Sequence, residues 1–399
     1  MFASIVPALG WLIPLLYLTF STALALSNLA MLLILVAFGL TFKTAYFEKS
    51  YWSQPAIWLL ALYAMVLLGT LYTPAPWEWV AVNLGKYTKF LYAIVLMILL
   101  TKREDWQRRS LLAFEVGALF ILASTWLNIW FVLPWSATKN LGWGVSHNVM
   151  YDYIVQNVVM AFFVTYALSK ITREGSRLWN AFYGVVALLA ILSITHLSVG
   201  RTGLVVVAGA LAAFLLARVG TRRALIAIPA AALALGALLA SSDVMVARFK
   251  QAAVELANAE ADRYSSIGHR IYNYKLAPRL IAEKPILGHG TGAYHTEICR
   301  VLDEPDDCET YRWHSHNQFL FFGVDHGAIG VLIYIALLWS AGVVAWRTEP
   351  GPHKLMLASL LGALIADSFI NSPLFSARES HFFLYMLALL LVISRDRTR

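Results

Sequence analysis

Charge is what this sequence has least of. Asp, Glu, Lys and Arg together supply 14% of the 399 residues, against about 25% in an ordinary soluble domain. None of the four occurs in residues 1–42. With 59% hydrophobic residues and a mean hydropathy of +0.65, the chain cannot cover a globular surface with polar groups, so a soluble globule is excluded. Intrinsic disorder and collagen fail on the same composition. Two cysteines are too few for a small scaffold stapled by disulfides. A P-loop and a His-Glu-x-x-His pair are both missing. Gly288-His289-Gly290-Thr291-Gly292 lacks the spacing and the preceding strand of a dinucleotide fingerprint. Nucleotide chemistry therefore has no support, and no internal repeat or low-complexity linker is visible.

Long apolar runs take the place of charge. The first 42 residues are about twice the ~20 needed to cross a bilayer as a helix, so they read as a helical hairpin turning near Ser27–Asn28. Ala23-Leu24-Ala25 resembles a cleavage site, but no positively charged stretch precedes it, so an uncleaved first span is expected. Further apolar segments lie near 56–72, 80–101, 111–134, 148–168, 179–198, 203–218, 224–240, 318–346, 355–372 and 381–394. In lipid, runs of this length satisfy their backbone only as helices. The expected fold is an all-α polytopic membrane protein of about twelve transmembrane helices, with nine in residues 1–240 and three in 317–399.

The basic residues set an orientation. With both termini in the cytoplasm, the inside segments hold Lys43, Lys49, Lys102, Arg103, Arg108, Arg109, Lys170, Arg173 and Arg177. Arg218, Arg222, Arg223, Arg347, Lys354, Arg395, Arg397 and Arg399 fall on the same side. Short outside loops hold only Lys139, Arg201 and Arg378. The net charge of +8 is thus mostly a topology signal, and no nucleic-acid partner is expected.

Residues 241–316 are a hydrophilic insertion on the outer side, the one long loop in the chain. Val244, Met245, Phe249, Ala252, Ala253 and Leu256 make an apolar stripe at helical spacing. A second helix is expected to begin at Ser265–Ser266, with Ile267, Arg270, Ile271 and Tyr274 on one face, and to kink or end at Pro278. Both read as amphipathic helices on the outer leaflet. Cys299 and Cys308 fall in this loop, where an even pair outside the cytoplasm predicts a disulfide. It would close an acidic lobe of Asp303, Glu304, Asp306, Asp307 and Glu309, read as a solvated tip rather than a cation site. The glycine cluster after Pro285 is expected to turn tightly with its amides exposed.

Ionisable groups gather at the outer face, where each is costly and hence a functional candidate. Lys86 and Lys89 sit in the outer half of the fourth span, three residues apart and so on one helical face; snorkelling to the interface also accounts for them. Arg201 lies in a short turn, Ser198-Val199-Gly200-Arg201-Thr202-Gly203, suited to a bidentate grip on phosphate. Arg270 lies on the second loop helix near His269, Asn273 and Tyr274. His314-Ser315-His316-Asn317 marks the return to the membrane, with an imidazole placed for general-base work and an amide beside it. Two histidines at i, i+2 without a fixed carboxylate do not make a metal site. His147, Asp152 and Gln156 fit either a glycan path or helix packing, while Asp325 and Asp367 are expected to pair within the bundle.

Arg201 in its Arg-Thr-Gly turn, Arg270 in the large loop, Gly288-His289-Gly290, His316-Asn317 before a span and Asp367-Ser368-Phe369-Ile370-Asn371-Ser372 together closely resemble the bacterial O-antigen ligases. The wider superfamily includes O-antigen polymerases and protein oligosaccharyltransferases. The resemblance implies glycan transfer from undecaprenyl diphosphate to the lipid A–core at the periplasmic face of the bacterial inner membrane, without metal or other cofactor. It gives His316 the acceptor proton and Arg201 and Arg270 the diphosphate. Lys86, Lys89, His314, Asn317 and Tyr274 would help bind diphosphate or glycan. A polymerase, a protein glycosyltransferase and a transporter remain the rivals, the last disfavoured because the charges cluster at one face.

Overall fold

The computed structural model describes residues 2–150, 152–304 and 307–395, and among them there is no β-strand. Asp306, Arg397 and Arg399 lie outside the described residues. The chain opens with α1 (Phe2–Thr19), α2 (Leu24–Leu40), α3 (Gln54–Gly69), α4 (Trp77–Tyr87), α5 (Lys89–Leu100) and α6 (Glu104–Leu127). After an irregular stretch come α7 (Tyr153–Lys170), α8 (Arg177–His196), α9 (Thr202–Val219) and α10 (Thr221–Ala240). A lobe follows, made of α11 (Asp243–Ala257), α12 (Ser266–Glu283), α13 (Tyr294–Arg300) and α14 (Cys308–Tyr311). The chain closes with α15 (Gln318–Arg347), α16 (Pro352–Ser368) and α17 (Ala377–Arg395).

A helix occupies each of the twelve apolar segments, with α4 and α5 sharing one. By length and composition, seven spans qualify to cross a membrane: Trp77–Leu100, Glu104–Leu127, Arg177–His196, Thr202–Val219, Thr221–Ala240, Gln318–Arg347 and Ala377–Arg395. The apolar helices Val6–Thr19, Leu24–Leu40 and Gln54–Gly69 are shorter. The first hairpin does not turn at Ser27–Asn28. It turns at residues 20–23, where the Ala23 amide donates to the Thr19 carbonyl at 2.7 Å, and Ser27 and Asn28 lie inside α2.

Lipid is visible in what is left uncovered. On α10 only Ala224 is buried, while Leu225, Ile226 and Leu233 are each about three-quarters exposed. Such a surface is stable only in an apolar solvent, so the molecule is a membrane protein. α17 is the opposite case, with every side chain from Glu379 to Ser394 buried and Tyr17 of α1 donating to the Tyr385 carbonyl at 2.7 Å.

α15 is not continuous. Gly327 has φ +59° and ψ −155°, a conformation closed to L-residues. The segment 285–290 fills the break: the amides of His289 and Gly290 donate to the carbonyls of Val324 and Asp325 at 2.9 and 2.7 Å, and Ala328 donates back to Pro285 at 2.8 Å. A Cβ on Gly327 would lie 2.5 Å from the Ile286 backbone, and one on Gly288 would lie 2.4 Å from the His326 nitrogen. Irregular backbone at membrane depth is tolerated only when protein satisfies it, and here it does. This overturns the expectation of exposed amides in the glycine cluster. Thr291 donates to Gly69 at 3.2 Å, and Gly292 and Tyr294 donate to the Asp325 carboxylate at 3.1 and 2.7 Å.

Candidate active site

The lobe is assembled around α12. Ser265 accepts the Gly268 amide as N-cap, which starts the helix where the Ser265–Ser266 pair predicts. Pro278 does not end it, for it sits inside a helix that continues to Glu283. The stripe on α11 is not buried in the protein: Met245 is covered, but Phe249 is 47% and Leu256 60% exposed. A disulfide joins Cys299 to Cys308, tying α13 to α14. The lobe's acids serve its own framework, since Asp303 pairs with Arg263 at 3.1 Å and Asp307 accepts from Tyr264. Glu283, His289 and Glu297 also converge, but Arg300 bonds both carboxylates.

The lobe is joined to α4 through a histidine. His295 stacks on Trp79 with ring centroids 4.2 Å apart, receives the Asn83 amide at 2.9 Å and bonds the Arg312 carbonyl at 2.5 Å. Burial, with the nearby cations, lowers its pKa to about 4.

Three candidates meet on one backbone platform, residues 369–371 between α16 and α17, and a fourth, His316, is tied to it through Tyr274. Arg270 donates through Nε to the Ile370 carbonyl at 3.2 Å and through Nη1 to the Ser266 carbonyl and hydroxyl at 2.8 and 2.7 Å. Tyr274 bonds the Phe369 carbonyl at 2.5 Å and the His316 carbonyl at 3.0 Å. Asn317 donates to the same Phe369 carbonyl at 3.2 Å, while its Oδ1 caps α15 through the amides of Phe319 and Leu320. The platform is braced by Asn371, whose amide lies 2.9 Å from both oxygens of buried Glu379.

His316 takes φ +53°, an uncommon conformation for a non-glycine residue and one associated with functional sites. Its amide donates to His314 Nδ1 at 3.2 Å, and its ring lies 4.2 Å from His314 and 4.9 Å from His269 between centroids. Among the described residues, His316 Nδ1 has no hydrogen-bond partner. Desolvation, then the charges of His314, Arg270 and His269, hold the His316 pKa well below 6.5. Desolvation likewise lowers His314 to about 3, with smaller contributions from His269, Lys86 and Arg270. Both rings are therefore neutral at neutral pH; the His314 Nδ1 lone pair is engaged by the His316 amide, while His316 Nδ1 is unengaged among the described residues.

Arg201 stands close enough for its charge to disfavour that of Arg270, so the two guanidiniums form one positive zone. It is not unengaged: it pairs with buried Glu255 of α11 at 2.8 Å. Lys86 and Lys89 part company at the α4–α5 junction. The Lys86 ammonium sits 3.7 Å from the centre of the Phe375 ring, within electrostatic reach of His314 and His295. Lys89 instead lines a cleft with Asn28 and His381.

Sequence reasoning missed Glu255 and the contact roles of His269 and the 369–371 carbonyls; no pattern at their own positions announces them. His147, Asp152 and Gln156 have local structural partners: Asp152 caps α7 and pairs with Arg378, Gln156 bridges the Val149 amide and the His147 carbonyl, and His147 bonds Gly142. Asp325 pairs within the bundle as expected, but Asp367 does not. Its carboxylate is buried without a hydrogen-bond partner among the described residues.

Such a site defines a membrane protein carrying a cationic, histidine-lined centre between a helical lobe and the mouth of its bundle. Residues 185–335, which include Arg201, Arg270 and His316, match the sequence model of the O-antigen ligase family, so this part of the chain is similar to that family. No curated protein matches the chain.

Proposed function

We propose that the protein is an O-antigen ligase, transferring a glycan from undecaprenyl diphosphate to a sugar hydroxyl of the lipid A–core. The observation that carries this reading is that Arg270 and Tyr274 both donate to the 369–371 platform while Tyr274 also holds the His316 carbonyl, with Arg201 near Arg270, and that Arg201, Arg270 and His316 all fall in the segment matching the ligase family. The site then faces the periplasm, the termini face the cytoplasm, and the bilayer is the bacterial inner membrane.

The chemistry follows from the charges. The acceptor oxygen forms a bond to the anomeric carbon as the carbon–oxygen bond to the diphosphate breaks. That electron pair moves onto the diphosphate, and the hydroxyl proton passes to His316. Arg270 and Arg201 meet the negative charge where it develops, the arrangement that lowers a barrier most directly. Lys86 adds to the same field, and His314 positions the His316 backbone. Tyr274 and Asn317 keep base and guanidinium in register, so that two membrane-anchored reactants react as if in one molecule. Attack opposite the leaving group inverts the anomeric centre.

The test uses purified protein in liposomes with undecaprenyl-diphosphate glycan and lipid A–core. A larger lipid A species made by the wild type, absent with His316→Ala and unaffected by EDTA, is the expected outcome. Elongation of the donor glycan with lipid A untouched makes the protein a polymerase instead. Loss of activity in EDTA contradicts cation duty by arginine alone.

A further inference from the structure

Resting on the reading above, we propose that the seam between α2, the α4–α5 junction and α17 is the port through which the donor's phosphate-bearing polyprenyl lipid reaches the site, with Lys89 as its phosphate contact. A cleft of about 320 Å³ opens there, its polar end formed by Asn28, Lys89 and His381. Asn28 and His381 each lie one turn inside the start of their helices, and the His381 ring reaches the Asn28 side chain at 3.0 Å.

Lys89 is 6% exposed. Its ammonium has three protons to donate, and one reaches the Lys86 carbonyl at 3.1 Å. Among the described residues no carboxylate pairs with it. A cation at that depth calls for an anion or a polar cavity, and the cleft can admit the anion.

Apart from Thr88 and Tyr92, the rest of the lining is apolar. Leu24, Met31, Leu32 and Leu35 lie on one face of α2, and from Asn28 to Leu35 the cleft runs about 10 Å along the helix axis at 1.5 Å per residue. A polar end with an apolar lane one helix wide matches a phosphate on a single long chain better than a diacyl lipid. The lane also leads the right way. Three residues before Lys89, Lys86 stands over Phe375, within electrostatic reach of His314, so Lys86 lies between the cleft and the histidine cluster.

The test measures binding of undecaprenyl phosphate to the full chain in phosphatidylcholine nanodiscs, for wild type, Lys89→Gln, Leu32→Trp and Leu35→Trp. Thermal unfolding confirms that each variant is folded. The expected result is at least a tenfold rise in Kd for Lys89→Gln and for one or both tryptophan variants, with inorganic diphosphate a poor competitor. Kd values within twofold of wild type in all three variants overturn the port. Competition by phosphatidylglycerol at equal concentration overturns the polyprenyl assignment. Wild type that binds through Lys89 yet transfers no glycan would sink the ligase reading and keep the port. Intact transfer with unchanged binding would sink the port alone.

Discussion

At the scale of single residues, the proposed mechanism needs a neutral imidazole beside fixed cations. On that reading Arg270→Ala removes a donor to the leaving group, and a loss of about 10²–10³ in kcat is expected. His316→Ala should cost about 10²–10⁴, with membrane insertion unchanged by protease mapping. The low pKa of His316 has its own signature. Free enzyme should show no acid limb in kcat/KM near 6.5, because the ring stays neutral until the pH falls well below that value. An anion next to an imidazole favours its protonated form, so a bound diphosphate should strengthen the base and move the limb in kcat to higher pH. A single limb at 6.5 in both profiles would contradict this account of His316. Much of this residue set was legible in the sequence, because Arg, His and Asn at a membrane edge are rare enough to stand out. Glu255 was not legible, because an acid on an amphipathic helix looks like any solvated group until Arg201 is found against it.

At the scale of elements, the broken helix matters most. α15 reads in sequence as one apolar run, and a glycine within it carries no warning, since glycine is common in membrane helices. The break at Gly327 exists because a distant segment, 285–290, supplies the hydrogen bonds that the interruption frees. Gly327→Ala should therefore destabilise the protein by about 1–3 kcal/mol from backbone strain alone. Thermal unfolding in detergent reads this directly, and an unchanged melting temperature would mean that the loop does not fill the break. Pro278 shows the limit of a local rule. A proline kinks or ends a helix, and here α12 does not end but continues to Glu283, its buried face packed through Tyr272, Leu276 and Leu280, so that tertiary burial outweighs one lost backbone bond.

At the scale of the whole molecule, the lobe and the basic connections should lie on opposite sides of the bilayer. The described cysteines are both in the disulfide, so single engineered cysteines give clean labelling. Glu260→Cys on the lobe should react with a membrane-impermeant maleimide from the periplasm. Glu174→Cys, between α7 and α8, should react only after the inner membrane is opened. The reverse pattern would invert the topology and place the site on the cytoplasmic side.

The amino-acid sequence by itself determined that the protein lives in lipid, that it is helical, where most helices run and which side chains were chemically suspect. Those are consequences of composition and periodicity, which act over one turn or one span. Only the tertiary structure decided which suspects meet. Arg270, Tyr274 and Asn317 gather because carbonyls some 50 to 100 residues away accept their protons. Lys86 and Lys89, neighbours in sequence, face different surroundings because the α4–α5 junction lies between them: Lys86 meets Phe375 in the connection before α17, and Lys89 faces α2 and α17. Hydrogen bonds between distant backbone groups leave no periodic trace in the chain, which is why the site's members could be named from the sequence but not assembled from it.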